Sequence, residues 1–389
     1  MHNRWLILAV LFAARTAMGF QFQSVAATST HLIDALSIDY TALGTLIGLY
    51  MLPGVVIALP GGMLAGRFGD KSIALLGLAL MVAGGIIMAA GDDVMLVGAG
   101  RLVTGVGAVL FNVVATKMVT DWFIGREIVT AMAILLASWP LGIGAALLSL
   151  GIVAQATSLA HAMLVPAAFC AITAIAVALG YRSPKAGVAN REPPAIKAVR
   201  PTLREFHLIC LAGWIWTTYN AGYIIVISFA PDYLTVLGFS AAAAGLLMSV
   251  ITWMLVPAMP FLGALAERLG RPWLVMAISF AFSAGAVLAI PILKAPVPLF
   301  VITGIAFSMA AGVIMTLPGA LLRPESRAIG TGIFFTWYYL GMAGLPPLAG
   351  LARDMSGEAA APVVVGGLVM ATTLIWLGLL RLGRSRSQA

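Results

Sequence analysis

Between Lys71 and Asp92 the chain runs for twenty residues without one charged side chain, and runs of this kind recur along its whole length. About twenty mostly apolar residues are what a helix needs to cross the hydrocarbon core of a bilayer. Twelve such segments can be marked, near 5–28, 41–65, 72–91, 95–118, 127–153, 159–181, 206–231, 241–265, 273–293, 297–321, 328–351 and 360–380. Only 9% of the 389 residues are charged and 61% are hydrophobic. A soluble domain carries roughly 25% charged residues, so a water-facing surface cannot be built from this composition. The chain therefore reads as an all-α membrane protein of twelve transmembrane helices. Its 42 glycines suit close helix packing in lipid. The first run, from Leu6, outlasts a signal h-region and lacks a small-residue cleavage site, so it is read as the first span.

One long polar stretch, 182–205, separates the sixth segment from the seventh, with three prolines after position 192 and no periodicity. It reads as a linker between an N-terminal six-helix bundle, 1–181, and a C-terminal one, 206–389. Seventeen Lys and Arg residues fall in this linker, at the two ends and in the even-to-odd loops, against two (Lys294 and Arg353) in the opposite loops. That asymmetry puts both termini and the linker in the cytoplasm, as for a multi-pass protein of the inner membrane. The net charge of +8 sits in short loops, as orientation signals do, and does not indicate nucleic acid. Cys170 and Cys210 lie in apolar runs and suggest neither a disulfide nor a metal site.

The halves repeat. Gly62-Met-Leu-Ala-Gly66-Arg67-Phe-Gly69-Asp-Lys71 recurs as Gly263-Ala-Leu-Ala-Glu267-Arg268-Leu-Gly270-Arg271-Pro272, a shift of 201 that also carries Thr16 to Thr217, Gly44 to Gly245 and Arg126 to Arg327. Both halves start on the same side, so they are parallel repeats.

Two six-helix halves with these motifs resemble the major facilitator superfamily of secondary transporters. The loop after the second segment resembles the signature G-x-L-A-D-R-x-G-R-K, and its second copy, Gly263 to Arg271, matches better. In the first copy Gly66 stands where that family has an acid and Asp70 where it has a base. The resemblance implies that this acid locks one conformation, a role left to Glu267 or weakened here, with Gly62, Arg67, Gly69, Gly263, Arg268, Gly270 and Arg271 as conformational residues. Arg101 with Gly105 and Gly107 is similar to the fourth-helix signature and is read as conformational. Ser138-Trp139-Pro140-Leu-Gly142-Ile-Gly144 only loosely resembles the fifth-helix signature of drug/proton antiporters. The opening Arg15-Thr16-Ala-Met-Gly19-Phe-Gln21-Phe-Gln23 looks like the cyanate and nitroimidazole permease branch, or other small-anion carriers.

Arg15 lies about ten residues into the first segment, roughly 15 Å deep. A guanidinium there is expensive, at least about 2.5 kcal/mol on insertion scales, stays charged, and offers a fork of donors suited to carboxylate-like oxygens. It is the candidate anion ligand; the alternative is that it bonds backbone carbonyls and holds the bundle together. At 100° per residue Arg15, Gly19 and Phe22 share one face of helix one, and Trp216, Tyr219, Asn220 and Tyr223 one face of helix seven. These, with Gln23, Asn112, Trp139 and Tyr338, are the candidate lining of the substrate site, against a reading as packing aromatics. Lys117 reads as snorkelling.

Every Asp and Glu lies in a loop or near a helix end. A cation is therefore disfavoured as substrate, and Asp232 is the one proton-coupling candidate. No motif for a cofactor, metal, nucleotide or enzyme nucleophile is present. The expected partner is a small, anionic solute taken from or into water across the bilayer by a monomer. Efflux of hydrophobic drugs is the alternative, and a transport-dead receptor of the same fold the third reading.

Overall fold

The computed structural model describes residues 4–123, 127–182, 199–293 and 295–385. The chain divides into two compact units, Met1–Ala195 and Ile196–Ala389. Most of the linker and Arg126, together with the side chain of Glu267, lie outside what is described.

The first unit holds α1 (Arg4–Ala27), α2 (Ser29–Leu36), α3 (Tyr40–Leu49), α4 (Gly54–Phe68), α5 (Asp70–Ala89), α6 (Val94–Phe123), α7 (Ile128–Ala156) and α8 (Leu159–Gly180). The second holds α9 (Leu203–Val236), α10 (Ala241–Leu269), α11 (Pro272–Leu293), α12 (Pro296–Leu321), α13 (Arg327–Ser356) and α14 (Ala361–Ser385). Starts and stops follow local chemistry. Asp39 and Ser158 accept the backbone N–H of Ala42 and His161, capping α3 and α8. Thr202 and Glu205 form a reciprocal capping box at the start of α9. Gly69, at φ +85°, turns the chain between α4 and α5, where a side chain would be strained.

Two features depart from the twelve expected segments. The second, 41–65, is broken into α3 and α4: Pro53 has no N–H to continue the ladder, and the turn tightens, with Met51 N–H donating to Gly48 O at 2.9 Å. Short α2 occupies a stretch that reads as loop in the sequence. Eleven of the described helical segments are long and apolar enough to cross a membrane. The twelfth, α13, has 30 residues but carries Thr331, Thr336, Trp337, Tyr338, Tyr339, Arg353 and Asp354, which lower its apolarity.

The sequence repeat reappears as packing. A shift of 201 carries Tyr40–Phe68, spanned by α3 and α4, onto Ala241–Leu269, the whole of α10. In the first unit α1 packs on α7 and α8, and α5 on α6 and α8. The second unit pairs α9 with α13 and α14, and α11 with α12 and α14, each the shifted counterpart. In lipid such contacts rest on close approach rather than on expelling water. The α5–α6 crossing illustrates it: a Cβ built on Gly107 would sit 2.3 Å from Gly77 O.

Candidate functional site

The chemistry of the first unit begins at Pro140. Inside α7 it supplies no N–H to the carbonyl of Leu136. Arg15 of α1 fills the gap. Its Nη1 donates to Leu135 O at 2.9 Å and Leu136 O at 3.2 Å, and reaches Ser138 Oγ at 3.4 Å; its Nε donates to Asn112 Oδ1 at 3.0 Å. The residue is 9% exposed. Arg15 thus supplies donors to the carbonyls beside Pro140, in a helix that continues through it, and ties α1, α6 and α7 together, which is the structural role the sequence left open beside ligand binding.

Neighbouring positions sort differently from the one-face expectation. Gly19 is consumed by packing: a Cβ there would lie 2.6 Å from Trp139 O, and one on Gly142 would lie 2.1 Å from Thr16 O, so α1 and α7 cross backbone to backbone. Phe22 is buried against Tyr50 and Trp139, at ring separations of 5.3 and 5.2 Å. Gln23 is buried with both amide atoms unpartnered, whereas Gln21 donates to Met81 O at 2.8 Å, toward α5. Asn112 and Trp139 are half-buried.

Arg101 is entirely buried. It donates to Leu46 O at 2.9 Å, Phe22 O at 3.0 Å, Gln21 O at 3.2 Å and Ile47 O at 3.4 Å. Leu46 and Ile47 belong to the last turn of α3, where carbonyls lose their helical donors. The break at Pro53 that sequence reading missed is therefore what Arg101 repairs, and its guanidinium lies 4.8 Å from the Tyr50 ring centre.

In the second unit one face of α9 carries a column of rings. Trp216 stacks toward Tyr219 at 5.9 Å, Tyr219 on Phe307 at 3.9 Å, and Phe307 on Tyr223 at 4.5 Å. Phe334 and Tyr338 of α13 flank Trp216 at 6.4 and 5.9 Å. The Tyr219 hydroxyl donates to Phe307 O. Trp216 Nε1 and the Tyr223 hydroxyl are buried without partners. Asn220 bends back, its Nδ2 donating to Trp216 O at 2.8 Å. Phe307 was not among the residues singled out from sequence; its place emerges only once α12 is packed beside α9.

Asp232 does not stand alone at the end of α9. Arg353, read from sequence as a loop charge, lies in the last turn of α13 and donates to Asp232 Oδ2 at 3.1 Å. Lys117 does not simply snorkel: it bridges Asp70 Oδ2 at 2.6 Å and Asp121 Oδ2 at 3.0 Å. Asp70, in the first turn of α5, thereby gives the first signature loop a paired acid although Gly66 has none. Gly66 and Gly263 have open space around them, and Arg67, Arg268 and Arg271 are exposed. Gly270, like Gly69, has positive φ; Gly62 and Glu267 fall on side-chain positions outside the description.

A hub that sequence reading passed over is Glu205. Beyond capping α9, it accepts from Arg323 Nε at 3.1 Å, Arg323 Nη2 at 3.1 Å, Arg323 N at 2.9 Å and Ser326 Oγ at 2.9 Å, fastening the α12–α13 connection to the start of α9. The carboxylate holds the Arg323 guanidinium above its ordinary range. The first unit makes the corresponding tie with charges exchanged, Arg4 Nη2 to Glu127 Oε2 at 2.6 Å. The signal for the hub is the i, i+3 pair Thr202 and Glu205. Among the described residues no group of His, Cys, Asp and Glu could hold a metal ion.

A model of the Major Facilitator Superfamily matches residues 8–346, and a second match covers residues 211–388. The chain belongs to that superfamily. It is an all-α transporter of some small molecule, working in the lipid bilayer, and not an enzyme. No curated protein matches it. Among solved structures of superfamily type, a bacterial homolog of the human lysosomal transporter Spinster, inward-facing and occupied, is similar with a TM-score of 0.75 at 16% identity, covering 98% of this chain and 96% of that one. A mutant of the nucleoside transporter NupG gives 0.75 at 15% identity, over 98% of this chain and 100% of the other. A D-xylose–proton symporter gives 0.75 at 13%, over 96% and 97%. At these identities the likeness speaks for the fold.

Proposed function

We propose that this chain carries a small organic anion across a cell's inner membrane by alternating access, with halves 1–181 and 206–389 rocking about the linker 182–205 and both termini in the cytoplasm. The observation that carries the reading is the imbalance of charge at depth. Arg15 and Arg101 bring two fixed positive charges into the first unit, while every Asp and Glu of the chain lies at a helix end or in a loop. Carbonyl dipoles solvate a guanidinium without cancelling its charge, so the interior keeps a field that favours anions. Of the two, Arg15 is the better ligand. Arg101 is saturated by four carbonyls and fully enclosed, whereas Arg15 retains 9% exposure and leans on the Asn112 and Ser138 side chains, which can rotate away.

Uptake of a panel of labelled organic and inorganic anions into proteoliposomes tests this. Arg15→Gln is expected to raise KM at least tenfold for the transported anion, since a hydrogen bond to a charged group contributes about 1.5–3 kcal/mol. Unchanged KM with Arg15→Gln refutes the reading. One observation favours a second reading, export of a hydrophobic solute: the ring column on α9. Dye efflux from the same vesicles, with no anion taken up, would select it.

A further inference from the structure

We infer that the corner of the second unit where α11 begins and α14 ends binds the headgroup of an anionic phospholipid. The corner is built from Arg271, Trp273, Arg381 and Arg384. Arg384, in the last turn of α14, holds its guanidinium 5.9 Å from the centre of the Trp273 ring, in the first turn of α11. Arg381 lies one turn earlier on α14 and is exposed, as is Arg271 just ahead of α11. Neither helix carries an acid, since the chain has no Asp or Glu from Pro272 to Leu321 or after Glu358. Among the described residues no carboxylate pairs with any of these arginines. The turn that carries them is held against the bundle: a Cβ on Gly383 would lie 3.2 Å from Leu208 Cδ2 of α9.

The internal repeat shows that the fold itself does not need this charge. In the first unit the shift of 201 puts Asp70 in the place of Arg271 and Lys71 in that of Pro272. Both are spent inside the protein. Asp70 Oδ2 accepts from Lys117 at 2.6 Å, and Lys71 Nζ donates at 2.6 Å to Ala178 O, in the last turn of α8. α8 stops at Gly180, the counterpart of Arg381, whereas α14 runs one further turn to Ser385. That added turn brings Arg384 to the indole. A corner with its charges paired internally in one unit is thus, in the other, a group of guanidiniums with no counter-charge among the described residues.

What this corner offers defines its ligand. A guanidinium held over a ring keeps its charge and its N–H donors, whose fork fits phosphate oxygens. Arg381 and Arg384, three residues apart, share a face of α14. Tryptophan favours the headgroup level of a bilayer, the depth of lipid phosphates. Behind the corner lie exposed Ile375, Leu379 and Leu382 of α14 and Leu274 and Ile278 of α11, apolar surface for acyl chains to cover. A free phosphate would use the arginines alone, whereas a headgroup with its chains attached uses the whole surface.

The test uses the full-length protein, stripped of lipid in detergent, with native mass spectrometry following titration with dioctanoyl phosphatidylglycerol, dioctanoyl phosphatidylcholine and glycerol 3-phosphate. The anionic lipid is expected to bind at concentrations roughly tenfold below the zwitterionic one, with no glycerol 3-phosphate adduct. Arg384→Gln, at an end of the chain where folding is not at stake, is expected to weaken phosphatidylglycerol about fivefold. Arg182→Gln, which removes an exposed charge just beyond the matching end of α8, is expected to shift it less than about twofold. Trp273→Leu keeps every charge and is expected to weaken it about threefold, which attraction to net charge alone would not do. Equal binding of the two lipids, a glycerol 3-phosphate adduct as strong as that of phosphatidylglycerol, equal losses with Arg182→Gln and Arg384→Gln, or an unchanged titration with Trp273→Leu overturns the proposal.

Discussion

The two roles open to Arg15, splint and ligand, can be separated at Pro140. The substitution Pro140→Ala gives position 140 an N–H, which can close the ladder onto Leu136 O, the carbonyl that Arg15 Nη1 now approaches at 3.2 Å. In the native chain, Arg15→Met leaves that carbonyl without a donor in a low-dielectric interior, a penalty of about 1–3 kcal/mol, in addition to the loss of the Asn112 bond. Once Pro140→Ala has supplied the missing donor, the same substitution no longer orphans Leu136 O. The two changes should therefore couple, with Arg15→Met less destabilising by about 1–2 kcal/mol in the Pro140→Ala background. Denaturant unfolding in detergent of the native chain, both single variants and the double variant measures the coupling. A coupling below about 0.5 kcal/mol, the level at which independent sites simply add, would refute the splint argument. Uptake by the same four proteins then asks the functional question. Stability restored in the double variant without restored anion uptake is what a ligand role for Arg15 requires; restored uptake would leave it a splint and nothing more.

Two further outcomes follow from the same packing. Arg101→Met strips donors from four carbonyls in a site with no exposure, and is expected to destabilise by about 1–3 kcal/mol for each carbonyl left without another donor, read as a loss of monodisperse protein in fluorescence-detected chromatography. Native-like yield and midpoint would show that those carbonyls find other donors. Gly142→Ala places a methyl 2.1 Å from Thr16 O, where only backbone can yield, so α1 and α7 must separate; a fall in thermal midpoint larger than that of Pro140→Ala is expected, and an unchanged midpoint would contradict the backbone contact.

What the sequence made legible follows the range of each interaction. Spans are set by the local count of apolar residues, and twelve segments could be bounded because lipid imposes one length on all of them. The repeat of 201 was visible at Gly69 and Gly270 because positive φ restricts both positions to the same residue. Side-chain partners at large separation were not legible. Nothing near Arg101 announces that Leu46 and Ile47 will lose their helical donors; that depends on a break at Pro53, and prolines at 140 and 166 sit inside helices that continue. The face assigned to Arg15, Gly19 and Phe22 was geometrically correct for a straight helix, yet Gly19 meets the backbone of α7 while Phe22 lies under the Arg101 guanidinium, since one face of a helix can serve two neighbours. Charges misled for a related reason. Arg353 enters the loop-charge count, and it is also the partner of Asp232; Asp70 is a departure from the signature, and in the fold it is paired with Lys117. A short motif records which charges a loop carries, whereas their partners depend on which helix the fold brings beside them, and at Asp70 that helix is α6, which carries Lys117.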